Sequence, residues 1–301
     1  MEGKVCINRR LYSISMGGTG MVRNLTYEQL QSYNDTGYLV LRNVFTEEEV
    51  RLWRAECDRL LSLKEYVDPL NLRVAYRKAQ NGERMIEKFD PLLDVSPVFG
   101  HLFQDERILT PLRDIYLDEP LLFKDKLIFK LPGNTGYTMH QDAAFWHGFP
   151  YEGLISVMVA IDGATKENGA LELFPGYHDK FRQKETLRNF DEEEIAQIDA
   201  SKGVIYDTNP GDMILFSSLT PHQSGTNTTQ SSRRQLFLTY SPSKNGRLYK
   251  AHYQHYVRYV TRGRIRRSRT RDISNKNSWS RGRRAALASF SLPRCFASSL
   301  L

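Results

Sequence analysis

The first part of the chain carries helical periodicity, interrupted by one short apolar run. A helical pattern starts after Thr26, a residue type favoured at helix N-caps, and ends at Gly37. The apolar run Tyr38–Leu41 follows directly. These residues predict a helix, a turn and a strand.

A second helix is predicted after this strand. Thr46 and Glu49 have the spacing of a capping box. A further helical stretch is predicted at about 97–117, with a break at Pro111, because proline cannot donate the helical hydrogen bond. The apolar residues of the second helix fall on one helical face: Val50, Trp53, Cys57, Leu60 and Leu61.

From Pro120 onward, short apolar or alternating runs are separated by turns rich in Gly, Pro and Asn. Many short strands with this spacing are typical of an antiparallel sandwich or barrel, so the predicted fold is mainly β with flanking helices. A polar segment, residues 179–201, interrupts the strands; we expect it to be helical and to lie over the mouth or the side of the β-core. The predicted strands are LLFKDKLIFKL (121–131), LISVMVAID (154–162), ALELF (170–174), GVIYD (203–207), DMILFS (212–217) and RQLFLTYS (234–241).

The composition is that of a globular chain with neither a membrane span nor a disulfide framework. Of the 301 residues, 40% are hydrophobic and 11% aromatic, and no run of about 18 apolar residues occurs. The three cysteines, Cys6, Cys57 and Cys295, are odd in number and far apart. They favour a reducing compartment over disulfides or a zinc site, and we therefore expect a cytoplasmic protein.

Charge divides the chain unevenly. Residues 245–301 contain 14 Lys and Arg against one acid, Asp272, whereas residues 1–244 contain 28 basic and 34 acidic residues. Residues 261–301 lack apolar periodicity and are predicted to be a disordered basic tail. A patch for nucleic acid or another anionic surface, or an error in the gene prediction, is an alternative. No nucleic-acid-binding module is found elsewhere, so we expect no specific nucleic-acid partner.

The other end of the chain is also distinct from the patterned region. Residues 1–22 contain two arginines, several serines and glycines, and one acid. They are predicted to be a disordered or targeting extension, and the second alternative leaves a mitochondrial location open. The folded domain is therefore predicted to comprise residues 23–260.

His140 and Asp142 lie two apart in the stretch MHQDAAFW. On an extended backbone, alternate side chains share one face, so both can point at one metal ion. Such a pair also arises by chance, and an aspartate that holds a nearby histidine is common. His222 lies 82 positions later and can reach the pair from an adjacent strand. Two histidines and one carboxylate on one face of a metal favour non-haem Fe(II), because the opposite positions stay open.

Arg233 strengthens this interpretation. It lies at the start of the next strand, 11 residues past His222. Oxygenases that consume 2-oxoglutarate need a deeply placed cation for the far carboxylate, and the planar fork of arginine can bind a carboxylate through two hydrogen bonds. The adjacent Arg234 competes for this role, although alternation along the strand would point it outward if Arg233 faces the pocket.

The chain resembles the phytanoyl-CoA dioxygenase family of Fe(II)/2-oxoglutarate-dependent oxygenases. The segments HQD, KENGALELFPGYH, PGDMILFSSLTPHQSGTN and RRQLFLTY occur in the expected order, and the resemblance covers roughly residues 25–245. It implies a double-stranded β-helix, a jelly roll of cupin type, with N-terminal helices. It also implies that His140, Asp142 and His222 are the catalytic ligands of Fe(II) and that Arg233 binds the C5 carboxylate of 2-oxoglutarate.

Further residues match the family less directly. Ser224 matches a position that hydrogen-bonds the same carboxylate, and Gln141 matches one near the co-substrate. Lys126 either faces the pocket as another co-substrate contact or is a solvated lysine at the edge of the sheet. Candidates for the wall of the substrate pocket are Phe145, Trp146 and His147, and the two aromatic residues among them could equally be core.

The resemblance implies hydroxylation of an unactivated C–H bond in a small organic molecule, with O₂ consumed, succinate and CO₂ released and ascorbate as reductant. Related halogenases replace the carboxylate ligand with a small residue, so Asp142 favours hydroxylation. Aminophosphonates, acyl-CoA and amino-acid derivatives are the substrate classes that we consider. The alternative function is that of a non-catalytic cupin-like binding or scaffold protein, against which the complete set of metal ligands argues. The oligomeric state does not follow from the sequence.

Overall fold

Two antiparallel sheets face each other and enclose part of the apolar core. The computed structural model describes residues 24–259 and residue 261. Its strands are β1 (Tyr38–Leu41), β2 (Val74–Lys78), β3 (Arg84–Phe89), β4 (Pro120–Lys130), β5 (Tyr137–His140), β6 (Ile155–Ala160), β7 (Leu171–Leu173), β8 (Val204–Ile205), β9 (Met213–Ser217), β10 (His222–Ser224) and β11 (Arg233–Pro242). Its α-helices are α1 (Tyr27–Thr36), α2 (Glu47–Ser62), α3 (Glu106–Tyr116), α4 (Glu192–Ile195) and α5 (249–259).

Strands that are adjacent in the chain are often separated in space. The larger sheet has the order β1-β9-β6-β11-β4-β3-β2, and the smaller has the order β5-β10-β7-β8. All paired strands are antiparallel, and the chain passes repeatedly from one sheet to the other. This is the topology of a jelly roll, so the predicted fold class is confirmed.

The larger sheet is buried on both faces. One face packs on the smaller sheet through residues that include Ile128, Met158, Leu173, Phe216 and Phe237. The other face packs on the helices, in a core that contains Trp53, Ile108, Leu127, Val157 and Leu236. All six residues of β6 are buried, which explains why this strand has a continuous apolar sequence without alternation.

The first two predicted helices are confirmed, and each begins at a capping box. Thr26 pairs with Gln29 in α1, and Thr46 pairs with Glu49 in α2. Gly37 ends α1 with φ at 85°, a left-handed conformation that costs glycine little. A Cβ atom at this position would lie 2.4 Å from the His178 ring, so space also requires glycine here.

The prediction for residues 97–117 is wrong in two respects. Helix α3 begins only at Glu106, after the N-cap Asp105, and a separate 3-10 turn precedes it. Pro111 lies inside α3 and does not break it. The helix tolerates one missing hydrogen bond because its apolar face, with Ile108, Pro111 and Leu112, is buried in the core.

The prediction of a helical insertion at 179–201 is also largely wrong. Apart from α4 and a short 3-10 turn, the segment is irregular. Its backbone is held by side chains: the Glu194 carboxylate accepts from the backbone N–H groups of Lys184 (2.6 Å) and Asp191 (3.0 Å). The segment covers the turn after β5, where the Leu187 N–H donates to the Ala144 carbonyl at 2.8 Å.

Sequence analysis missed the hairpin β2–β3 and the short strands β5 and β10. The hairpin carries a usable signal, because its turn contains Asn81-Gly82 and Gly82 has φ at 82°. Strand β10 has only three residues and is too short to show periodicity.

Two predicted segments cannot be compared with the structure. The extension 1–22 and the tail 261–301, apart from Thr261, lie outside the described residues. Within residues 24–259, no helix is long and apolar enough to cross a membrane.

The core between α2 and the larger sheet gives a stability prediction. Leu60 is fully buried there, and we expect Leu60→Ala to lower the free energy of unfolding by about 2–5 kcal/mol through the cavity that it leaves. Leu52 lies on the same helix but is 49% exposed, so Leu52→Ala should change it by less than about 0.5 kcal/mol. Urea denaturation followed by circular dichroism measures both variants. Equal effects would contradict the described burial.

Candidate metal centre

Two strands of the smaller sheet bring the predicted metal ligands together. His140 ends β5, His222 begins β10, and the two residues are direct partners across the antiparallel pair. Asp142 follows at the start of a 3-10 turn. Its Oδ1 lies 3.8 Å from His140 Nε2 and 4.0 Å from His222 Nε2, and the three ligand atoms all lie within 4.8 Å of one another. One divalent ion can contact all three, because each ligand bond is about 2 Å long.

The other ring nitrogen of each histidine fixes its tautomer. His140 Nδ1 lies 2.8 Å from the carbonyl of Thr138, and His222 Nδ1 lies 2.9 Å from the carbonyl of Thr220. A carbonyl oxygen only accepts, so each Nδ1 carries the proton and donates it. Each Nε2 therefore keeps a lone pair directed at the position between the ligands.

Asp142 is also oriented by a hydrogen bond to its second ligand-type atom. Its Oδ2 accepts from the hydroxyl of Ser156 at 2.9 Å, and Ser156 in turn contacts the hydroxyl of Thr239 at 3.1 Å. Oδ1 stays free for a metal. The sequence contained a signal for Ser156, which is a lone hydroxyl in the otherwise apolar run of β6, but it was not recognised.

Burial and charge keep the ligands in the protonation states that bind a metal. Burial lowers the pKa of both histidines, and for His140 the neighbouring His222 lowers it further. Burial alone would raise the pKa of Asp142, but Lys126 and the two histidines outweigh it and the pKa falls below its usual range. Neutral imidazoles and a carboxylate are the forms that coordinate metals.

A cavity opens beside the three ligands. Ile128, Leu171 and Phe237 form apolar parts of its wall. The predicted residues Lys126, Ser224 and Arg233 also line it. A concave, partly apolar site with few polar groups is typical of small-molecule binding.

Arg233 faces this cavity with unsatisfied hydrogen-bonding capacity. It is 3% exposed, its Nη1 donates to Gln235 Oε1 at 2.7 Å, and its Nε has no hydrogen-bond partner in the part of the chain that is described. Burial lowers its pKa to about 10. Arg234 points the other way, to Asp162 at 2.6 Å and Asp58 at 3.0 Å. The predicted alternation along the strand is thus observed.

Ser224 is positioned to donate a hydrogen bond into the cavity. Its Oγ accepts from Lys130 Nζ at 2.8 Å and from the backbone N–H of Tyr137 at 3.3 Å. Both lone pairs are then used, so the hydroxyl proton remains for a third group. Burial, and then Arg233, lower the pKa of Lys130 to about 6. Lys130 was not among the site residues predicted from the sequence.

The structure places the remaining candidates away from the cavity or at its edge. Gln141 is fully buried, and its amide bonds with Lys180, Leu219 and Arg182, so this geometry does not support the predicted co-substrate contact. That contact stays a prediction.

The three candidates for the pocket wall differ in their environment. Trp146 is 4% exposed and packs on Phe123 in a separate apolar cluster, whereas His147 is exposed. Phe145 is 39% exposed and its ring packs edge-on against His140 at 5.6 Å. Of the three, Phe145 therefore lies in direct contact with a metal ligand.

The comparisons with known proteins agree with this geometry. The family model of phytanoyl-CoA dioxygenase matches residues 33–235. The 2-aminoethylphosphonate dioxygenase of uncultured bacterium HF130_AEPn_1 is 28% identical, and the match covers 73% of this chain and 83% of that protein.

Solved structures of EctD have a similar fold. The crystal structure of EctD from S. alaskensis with 2-oxoglutarate and 5-hydroxyectoine has a TM-score of 0.64 at 25% identity, covering 73% of this chain and 77% of that one. A second structure of EctD, with bound Fe, has a TM-score of 0.63 at 25% identity and covers 73% and 78%. This chain therefore belongs to the phytanoyl-CoA dioxygenase family and is a 2-oxoglutarate-dependent non-haem iron dioxygenase.

Proposed function

We propose that the enzyme hydroxylates an unactivated C–H bond of a small organic molecule and converts 2-oxoglutarate and O₂ to succinate and CO₂. The observation that carries this proposal is the pairing of two kinds of site in one cavity. His140, Asp142 and His222 offer three ligand atoms on one side, and Arg233 offers a buried, incompletely bonded cation on the other. Bound Fe(II) would supply the activation of O₂.

The spacing of these two sites suits a short dicarboxylate. Ser224 lies two residues after His222 on β10, which is about 7 Å along an ideal strand. Its hydroxyl is free to donate, and Arg233 lies close behind it because Lys130 contacts Ser224 and pairs with Arg233 across β4 and β11. We propose that Arg233 and Ser224 bind the C5 carboxylate while the keto acid end reaches the metal.

Two of the similar proteins bear on the substrate. One is named for 2-aminoethylphosphonate, and the other is a structure of EctD with 5-hydroxyectoine. Both names refer to small molecules rather than to an acyl-CoA. We propose an aminophosphonate or an amino-acid derivative as the substrate. Ascorbate would serve to keep the iron reduced.

The metal ligands give the first functional prediction. Asp142→Ala and His222→Ala should each weaken Fe(II) binding by at least about 100-fold, because removal of groups that merely support ligands already costs 10- to 100-fold. The exposed His101 offers the control His101→Ala, which should bind Fe(II) normally. Anaerobic calorimetry with Fe(II), and succinate release with Fe(II), ascorbate and 2-oxoglutarate, measure the effect. Turnover retained in both ligand variants would rule out the proposed function.

The proposed pocket for the C5 carboxylate, formed by Arg233 and Ser224, gives the second functional prediction. Arg233→Lys should raise KM for 2-oxoglutarate by roughly 10- to 100-fold, because a charged hydrogen bond contributes about 1.5–3 kcal/mol and lysine cannot reproduce the two-pronged contact. Fe(II) affinity should stay unchanged. The matched variant Arg234→Lys alters an arginine that faces Asp162 instead, and its KM should remain within about twofold of the wild type. An unchanged KM in Arg233→Lys would mean that the carboxylate binds elsewhere.

A further inference from the structure

Lys126 is a second cation in the cavity besides Arg233. It lines the cavity together with the metal ligands and is half-buried. Its Nζ lies 4.9 Å from the centre of the Phe237 ring. Among the described residues, no hydrogen bond or ion pair to its ammonium occurs. Partial burial of such a charge costs free energy unless an anionic group pairs with it.

The sheet register places Lys126 away from the proposed carboxylate pocket. Lys130 pairs with Arg233 across β4 and β11, whereas Lys126 pairs with Phe237, four residues further along the strands. Four residues correspond to about 13 Å. Lys126 instead lies toward the metal end. Its partner Phe237 is two residues from Thr239, whose hydroxyl contacts Ser156, the residue that holds Asp142. One cation therefore stands at each end of the cavity.

The charges of the loaded site leave Lys126 unmatched. If the proposed function is correct, Fe(II) brings two positive charges, and Asp142 and the keto acid carboxylate of 2-oxoglutarate cancel them. Arg233 cancels the C5 carboxylate. Among the described residues that line the cavity, Asp142 is the single carboxylate, so no protein group compensates Lys126. Lys130, behind Ser224, carries no negative charge in either protonation state and so cannot compensate Lys126.

We infer that Lys126 binds the anionic group of the substrate, so that the enzyme selects small acids over neutral molecules of the same shape. This inference rests on the proposed function. A carboxylate and a phosphonate share the required chemistry, since each offers several acceptor oxygens to an ammonium group. The walls formed by Ile128 and Phe237 suit a short alkyl chain between the anionic group and the metal. Lys126 thus acts in substrate recognition, whereas the sequence had suggested a co-substrate contact.

Three probes of similar size test this inference. Propionate and ethylphosphonate carry the anionic group, and propionamide is the neutral isostere of propionate. Each is titrated by anaerobic calorimetry into the full-length protein loaded with Fe(II) and 2-oxoglutarate. At least one anion should bind roughly 10-fold or more tightly than propionamide, and the stronger of the two identifies the preferred acid.

Substitution of Lys126 tests the residue itself. Lys126→Met should weaken binding of that anion by roughly 10- to 100-fold and leave propionamide unaffected. Its affinity for Fe(II) and 2-oxoglutarate should stay within about twofold of the wild type. Lys126→Arg should restore most of the anion affinity. Lys166→Met, which removes an exposed lysine outside the cavity lining, serves as the control.

The possible failures are distinguishable. The inference is wrong if propionamide binds as tightly as propionate, if neither anion binds, or if Lys126→Met retains the anion. It is also wrong if Lys126→Met loses 2-oxoglutarate alone, because Lys126 would then belong to the co-substrate. If the wild-type protein binds neither Fe(II) nor 2-oxoglutarate, the proposed function fails and the inference fails with it.

Discussion

The antiparallel pairing of β5 with β10 is the contact on which the metal centre depends. It sets His140 directly opposite His222, and side chains at opposite positions have Cβ atoms about 4.5–5.5 Å apart. The two strands have only four and three residues, so they contribute little stability of their own. Close approach of the backbones requires glycine at position 136, where a Cβ atom would lie 1.8 Å from the carbonyl oxygen of Ser224. The opposed positions of the two histidines therefore depend on the same close pairing of β5 with β10 that requires glycine at position 136.

The larger sheet supplies the rigidity that these short strands lack. Strands β4 and β11 pair over ten positions, and both faces of the sheet are packed. Alternation along β11 directs Arg233 to the cavity and Arg234 to the opposite face. The sheet also holds the third predicted metal ligand, because Ser156 on β6 fixes the carboxylate of Asp142. The position of the loop that carries Asp142 is thus fixed by a hydrogen bond to the fully buried strand β6.

The sequence predicted best what depends on local spacing. The H-x-D pair, the capping boxes and the alternation along the strands all depend on residues only two or three positions apart. Gln141 shows the limit, because its match to a family position suggested a contact with the co-substrate, which stays a prediction. Its amide bonds with backbone groups of Lys180, Arg182 and Leu219, and those partners are 39 to 78 residues away. No local pattern contains such information.

The charge of the chain and its helices change at different points near the basic end. The change toward basic composition begins near residue 245, yet helix α5 runs over 249–259 and packs on the β-core. The hydroxyl groups of Tyr249 and Tyr253 donate to buried acceptors of Asp125 at 2.7 Å each. Charge content alone would have assigned α5 to the tail, whereas the hydrogen bonds of its tyrosines hold it against strand β4.

The two faces of the larger sheet treat buried polar groups differently at Asp125 and at Arg233. On the helix side, Asp125 accepts from the backbone N–H groups of Leu92 and Leu93, and its charge is met by several donors. On the cavity side, Arg233 Nε and Gln235 Nε2 are buried without a partner among the described residues. Each buried, unpaired donor costs about 1–3 kcal/mol. Both groups are donors at the same end of one cavity, so an anionic ligand there would remove the cost of both. The fold gives up stability at this end of the cavity, and binding of an acid there would recover it.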